Sequence, residues 1–220
     1  VEGPSQTLRA VRSWEEAVPR QSADEGVLET MLLTAGELGY GNATVQEVAK
    51  RAGVSRDRLL RRFGSREACF AEAYEEAAER LCEDLLEAGR GAASWREGFR
   101  AALAELLRFV AEQPLPAKAL LIEVRAARGQ AWVKHQQVVE RLTEAVDTAR
   151  REPGALPSAT AFTAGFTVGA IEESACLEIG AGRAAQAERL LPGLLHLAVL
   201  NYFGEEAAWS ELDAAAEGGG

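Results

Sequence analysis

Between Thr44 and Arg66, seven cationic side chains (Lys50, Arg51, Arg56, Arg58, Arg61, Arg62 and Arg66) stand against two acids, Glu47 and Asp57. The stretch carries a net +5 in a chain whose formal charge is −10, so the remaining residues total −15. Such a chain repels a polyanion everywhere except at this island. The chemistry suited to guanidinium groups crowded on one short segment is contact with phosphates and guanine edges. Phosphate contacts supply affinity, and base-edge contacts supply sequence choice. Thr44, Arg61, Arg62 and Arg66 are the expected phosphate contacts, from helix N-termini and one helix face. Arg56 and Arg58, near the start of the same short helix behind Ser55, are the expected readers of guanine O6 and N7.

Other chemistries find little support. His135 and His196 are far apart, no Ser/His/Asp or Cys/His constellation is suggested by spacing, and there is no glycine-rich phosphate loop. Nothing is left to carry catalysis, so no enzyme is expected. Cys69, Cys82 and Cys176 are odd in number and widely spaced, which implies neither a disulfide framework nor a metal cluster. No cofactor is expected. Two acids interrupt apolar runs: Glu123 in Ala119-Leu-Leu-Ile-Glu-Val124, and the pair Glu172-Glu173. A partly buried carboxylate can select a cationic or hydrogen-bonding ligand, or can pair with Arg100, Arg125 or Arg128. His135 reads as a surface residue and His196 as a core or interface one.

The elements that must position these groups are helices. Apolar residues make up 47% of 220 and aromatics only 6%, a composition that favours helix over strand. An all-α protein is expected. A first helix covers Asp24 to Leu38. A second starts at Thr44, with Glu47 placed for a reciprocal capping box. Gly53 makes the turn, and Ser55 caps a third helix that buries Leu59 and Phe63 while turning its arginines outward. Ser65 caps a long fourth helix from Arg66 to Ala88. Further helices are expected at Ser94–Glu112, Ala117–Ala127, Gln130–Arg151, Ser158–Ile179 and Arg183–Phe203, with fraying from Asp213. No apolar run is long enough for a membrane helix and no signal peptide is suggested, so a cytoplasmic protein is expected.

The succession Val27-Leu28, Leu32, Gly39-Tyr40, Thr44-Val45, Val48-Ala49, Ala52-Gly53-Val54-Ser55, Leu59, Phe63, Ser65-Arg66-Glu67 and Phe70 closely resembles the N-terminal domain of TetR/AcrR-type transcriptional regulators. The resemblance covers about residues 26 to 75. It implies a helix-turn-helix domain over 24–67 and an effector-binding and dimerisation domain over 68–212; residues 1–23, with Pro4, Pro19 and Ser/Gln-rich stretches, read as a tail or arm. It also implies a homodimer on a double-stranded palindromic operator, released by a small-molecule effector, with repression the default. Three residues depart from the family pattern. Leu60 cannot make the hydrogen bond of the usual tyrosine, and Arg62 brings a full charge where histidine is usual. Asp57 stands where a glycine allows close approach; it can accept from a cytosine amino group or repel the groove. These departures leave open a TetR-like helical ligand-binding protein whose specific DNA binding is weakened or lost.

The expected effector pocket is mainly apolar. Its candidate lining is Phe99, Leu103, Leu107 and Val110 on the fifth helix, and Leu121, Glu123 and Val124 on the sixth. Val138 and Leu142 on the seventh and Phe162, Phe166 and Glu173 on the eighth complete it. The dimer is expected as a four-helix bundle of the last two helices and their symmetry mates. Gly165 and Gly169 would permit close approach there, and Leu191, Leu194, Leu195 and Leu200 would supply apolar area.

Overall fold

Side-chain oxygens at four helix starts set the frame of the chain. Thr44, Ser55, Ser65 and Ser94 each accept a hydrogen bond from the backbone N–H three residues on. Each cap satisfies one of the amides that a helix N-terminus leaves without a partner. The structure, a computed structural model, describes residues 23–217. Ten helices follow one another, with no strand among the described residues. They are α1 (Ala23–Leu38), α2 (Val45–Arg51), α3 (Arg56–Phe63), α4 (Arg66–Ala88) and α5 (Trp95–Glu112). Next, α6 joins three segments, Pro114–Lys118, a π-helical turn Ala119–Glu123, and Val124–Ala127. After it come α7 (Gly129–Asp147), α8 (Ala161–Gly180), α9 (Leu191–Phe203) and α10 (Glu205–Glu217).

The all-α expectation holds, and so does the extent of α4 from Arg66 to about Ala88. Elsewhere the chain differs in instructive ways. The expected ninth helix from Arg183 begins as a 3-10 segment, Ala184–Leu190, and becomes α-helical only at Leu191. In place of fraying from Asp213, α10 continues through Glu217. It is anchored by Glu211, only 8% exposed, which meets Arg100 and Arg96 of α5. The capping box at Thr44 is half formed: Thr44 accepts from the Glu47 amide, but the Glu47 carboxylate turns to Arg51. The arm expected over 1–23 lies almost wholly outside the described residues.

Two hydrophobic clusters hold the fold. The first fills α1 to α3 with Met31, Val48, Leu59 and Phe63, then continues without a break into Phe70 and Tyr74 of α4 and Leu120 and Val124 of α6. The second joins α5, α8, α9 and α10 through Leu107, Ala175, Leu195 and Ala208. Because the first cluster crosses residue 67, the helix-turn-helix rests on the same packed interior as the C-terminal helices. Close packing transmits displacement, so a shift in α4 or α6 is felt in α1 to α3. Gly36 marks the tightest point of this seam. A Cβ there would stand 2.2 Å from the backbone oxygen of Leu115, so only glycine lets α1 approach the start of α6 this closely.

Candidate nucleic-acid interface and effector cavity

The α2–α3 pair is a helix-turn-helix with Gly53 at φ 67° in the turn, a conformation glycine adopts without strain. Leu59 and Phe63 fasten α3 to the interior, at 1% and 8% exposed. Helical spacing then forces the intervening residues outward: Arg56, Asp57, Arg58, Arg61 and Arg62 are all exposed, and Leu60 is half-buried. Thr44 and Ser55 lie exposed at the starts of α2 and α3.

The arginines divide into two groups. Arg56 and Arg61 carry no ion pair among the described residues, and Arg58 comes only within 3.8 Å of Asp24. Arg62 is turned back into the protein. Its Nε donates to Asp24 Oδ2 at 3.0 Å, its Nη1 and Nη2 donate to the Glu72 carboxylate at 3.2 and 2.5 Å, and its guanidinium lies over the Phe63 ring. It bolts α3 to α1 and α4. Arg66 is engaged as well: it stacks over the Tyr40 ring, donates to the backbone oxygens of Tyr40 and Gly41, and pairs with Glu67. The expectation that Arg62 and Arg66 serve as phosphate contacts therefore meets a competing role, since three or more of the N–H donors of each are already spent on protein oxygens. Sequence alone could not show this, because Asp24 and Glu72 are brought to α3 only by folding.

Tyr40 is the junction between this surface and the rest of the chain. Its N–H donates to Glu123 Oε2 at 2.7 Å, and its C=O accepts from Arg66. The two peptides that flank the Tyr40 Cα are thus gripped, one by α6 and the other by α4. Glu123 was expected in the pocket; instead it leaves the cavity for this seam, where Lys118 Nζ lies 3.7 Å away. The π-helical turn explains the aim. The Val124 amide reaches back to Ala119, adding one residue to the turn, so Leu120 and Leu121 face the cavity while Glu123 faces Tyr40. Such turns recur at functional sites.

A cavity of about 570 Å³ lies among α4, α5, α6, α7 and α8. It follows α4 from Tyr74 to Leu86, a run of about 18 Å at the helical rise. The α7 wall runs beside it in the same direction, from His135 to Val146, tied to α4 by a Glu75–Lys134 ion pair. Leu81, Phe99, Leu103, Leu106, Val138 and Leu142 make the walls apolar. The mouth is lined by the exposed residues Leu86, Ala92, Ala93 and Thr148.

Of the expected lining, Phe99, Leu103, Leu121, Val138 and Leu142 do face this cavity. Leu107, Val110 and Val124 do not; each is fully buried in the packed core. Phe162 and Phe166 point away, 80% and 51% exposed on the outer face of α8. Glu173 is exposed and pairs with Arg125, whereas its neighbour Glu172 lines the cavity. The dimer candidates also separate. Gly165 and Gly169 lie exposed on α8 with open space where a Cβ would go. Leu194 and Leu195 are buried within their own chain, and Leu191 and Leu200 pack half-buried on the same cluster.

His135 was expected at the surface and is 5% exposed. At the inner end of the cavity its Nδ1 lies 3.0 Å from the Tyr74 hydroxyl, and its Nε2 lies 3.3 Å from the Glu172 carboxylate. Arg125 donates to the same carboxylate oxygen at 2.8 Å. Burial alone would raise the Glu172 pKa, but hydrogen bonds from His135 and Arg125 outweigh it and hold the carboxyl below its usual value. Burial drives the Tyr74 phenol well above its ordinary range, so it remains a neutral donor and acceptor. Burial likewise pushes the Cys69 thiol up to about 12, which leaves it inert.

Residues 34–73 match the sequence model of the family described as bacterial regulatory proteins, tetR family. Solved structures share the fold along most of the chain. The fatty acid degradation regulator FadR from Bacillus halodurans aligns with a TM-score of 0.71 at 16% identity, covering 79% of this chain and 96% of that one. FadR from Bacillus subtilis, solved in complex with stearoyl-CoA, aligns with a TM-score of 0.69 at 16% identity over 79% and 96%. A TetR-like transcriptional regulator from Rhodococcus sp. RHA1 aligns at 0.63 and 22% identity over 83% and 97%. A comparison with curated protein sequences finds no match. The fold is that of the TetR-family transcriptional regulators, and the N-terminal helix-turn-helix carries that family's sequence pattern.

Proposed function

We propose that this chain is a ligand-responsive regulator of transcription that binds a palindromic operator as a homodimer and releases it when a small, mainly apolar molecule enters the cavity. The observation that carries the reading is the double grip on Tyr40. Two of the helices that build the cavity, α4 and α6, also hold the base of the helix-turn-helix. A molecule that spreads Tyr74 from Leu120 and Leu121 must move one of them, and Arg66 or Glu123 moves with it.

Arg56, Arg58 and Arg61 form the outward reading face, with Thr44 beside it for a phosphate. Two such faces meet successive major grooves only when about 34–36 Å apart, so a modest swing of α4 is enough to break register. For the dimer, α8 supplies Phe162, Phe166, Gly169 and Leu177 on one exposed face, interrupted by Glu173 between the last two. Two exposed phenylalanines and a leucine on one helix face mark a surface that another surface covers. The stearoyl-CoA bound by the Bacillus subtilis relative is in keeping with a long, apolar-walled cavity. The engagement of Arg62 with Asp24 and Glu72 favours a second reading, in which the grip on DNA is weaker than in relatives.

Selection from random duplexes tests the proposal. Enrichment of a palindrome whose half-sites lie one helical turn or a multiple apart is the expected result. Failure to enrich any sequence, with cavity ligands still bound, leaves the weakened DNA binder.

A further inference from the structure

We infer that the cavity takes its ligand with a neutral hydroxyl group, an alcohol or phenol, at the inner end, so that the molecule is oriented by Tyr74 and Glu172 rather than held by apolar walls alone. This rests on the reading of the cavity as the effector site, and adds which end of the ligand goes in first.

Two walls of the cavity are apolar for about 18 Å, yet its blind end is built from hydrogen-bonding groups. Tyr74 and His135 are 2% and 5% exposed, and Glu172 lines the same end. The bonding of Tyr74 is incomplete by construction. If His135 carries its proton on Nε2, facing Glu172, then Nδ1 accepts from the Tyr74 hydroxyl, and the phenol oxygen is left as an acceptor. If both ring nitrogens are protonated, Nδ1 donates to Tyr74, and the hydroxyl proton is left to donate. In either state one hydrogen-bonding position on Tyr74 remains open to a ligand. Trp132 stacks on the His135 ring at 4.9 Å and fixes the imidazole plane, so the group is preorganised rather than adaptable.

Charge narrows the class. Glu172 lines this end whereas Arg125, which neutralises it from behind, does not, so an entering carboxylate meets the carboxyl of Glu172 before any cation, in a poorly hydrated place. A fatty acid run in head-first is therefore disfavoured. A plain hydrocarbon tail run in first leaves Tyr74 and Glu172 facing methylene groups, which forfeits the polar end. A hydroxyl suits both states: it accepts from Tyr74 while donating to Glu172 when the Tyr74 proton is free, and otherwise gives its one proton to the Tyr74 oxygen or to Glu172.

The test uses the full chain and three probes of one shape, octylbenzene, para-octylphenol and para-octylbenzoate, each displacing cavity-bound N-phenylnaphthylamine. Wild type is expected to prefer the phenol over octylbenzene, and Tyr74→Phe to reduce that preference by about 3- to 10-fold, the range for one net hydrogen bond. Octylbenzene itself should bind the variant as well as wild type, which shows that the cavity survives. Glu172→Gln should relieve the rejection of the benzoate, and Leu142→Trp, which fills the apolar tube, should weaken the phenol and octylbenzene alike. An unchanged phenol preference in Tyr74→Phe overturns the orientation while leaving the cavity as an effector site. Failure of wild type to bind the dye and every probe overturns both.

Discussion

Replacing Gly36 with alanine tests the seam between the helix-turn-helix and α6, and Gly26 in the same helix provides the control. Alanine in place of a glycine inside a helix is worth about 1 kcal/mol in propensity, and both substitutions gain it. Around Gly26 a new methyl meets nothing within 4 Å. At Gly36 it would stand 2.2 Å from the Leu115 oxygen and 2.8 Å from its carbonyl carbon. Even a close carbon–oxygen contact sits near 3.3 Å, so α1 and α6 must part by about 1 Å. Overpacking against backbone costs about 1–3 kcal/mol because no side-chain rotamer can yield. Gly26→Ala should therefore be about 1 kcal/mol more stable than wild type, and Gly36→Ala should lie about 1–3 kcal/mol below Gly26→Ala. Urea unfolding with a common slope gives both numbers. Gly36→Ala should also alter operator affinity, since the parted seam carries Tyr40 and Arg66. Equal stability of the two variants would refute the close approach of α1 to α6, and with it the mechanical route proposed between cavity and DNA.

Three further outcomes follow from the same geometry. Glu123→Ala removes a charged hydrogen bond to the Tyr40 amide and should cost about 1.5–3 kcal/mol of stability; the effect of a cavity ligand on operator affinity should shrink, and an undiminished ligand response would show that Glu123 carries no coupling. Glu172 has its carboxyl pKa lowered by folding, so its contribution to stability is present above the ordinary carboxylate range and is lost as pH falls through the folded value. Wild type should lose more stability on acidification than Glu172→Gln, and parallel pH profiles would contradict this. Wild type should sediment as a dimer if the proposed α8 interface forms, and Phe166→Glu, which places a charge on that exposed face, should shift it toward monomer; an undisturbed dimer would move the interface elsewhere.

Local signals were readable in the sequence, and long-range ones were not. Caps at Thr44, Ser55 and Ser65, the turn at Gly53 and the limits of α4 depend on neighbours a few residues away, so composition and spacing reveal them. His135 looked exposed because it sits among Lys134, Gln136 and Gln137; its burial depends on Tyr74 and Glu172, 61 and 37 residues away in the chain. Phe162 and Phe166 have the spacing of a core face, and only the packed structure shows that nothing within the described chain covers them. Helix α10 went unread because its acidic, alanine-rich segment offers the core only short side chains; Ala208 packs into the second cluster, and Arg96 and Arg100 hold Glu211. Arg62 illustrates the same limit at the DNA face: its position on α3 was clear, but the acids that claim its guanidinium were not.

The salt dependence of binding tests the central claim most directly, measured on a selected palindrome and on a scrambled duplex with wild type and Arg61→Ala. A specific regulator should bind the palindrome at least about 10³-fold more tightly than the scramble, and Arg61→Ala should weaken both and reduce the slope against salt by about one phosphate contact. Equal affinity for the two duplexes, or a slope unchanged by Arg61→Ala, would contradict a sequence-reading surface on α3.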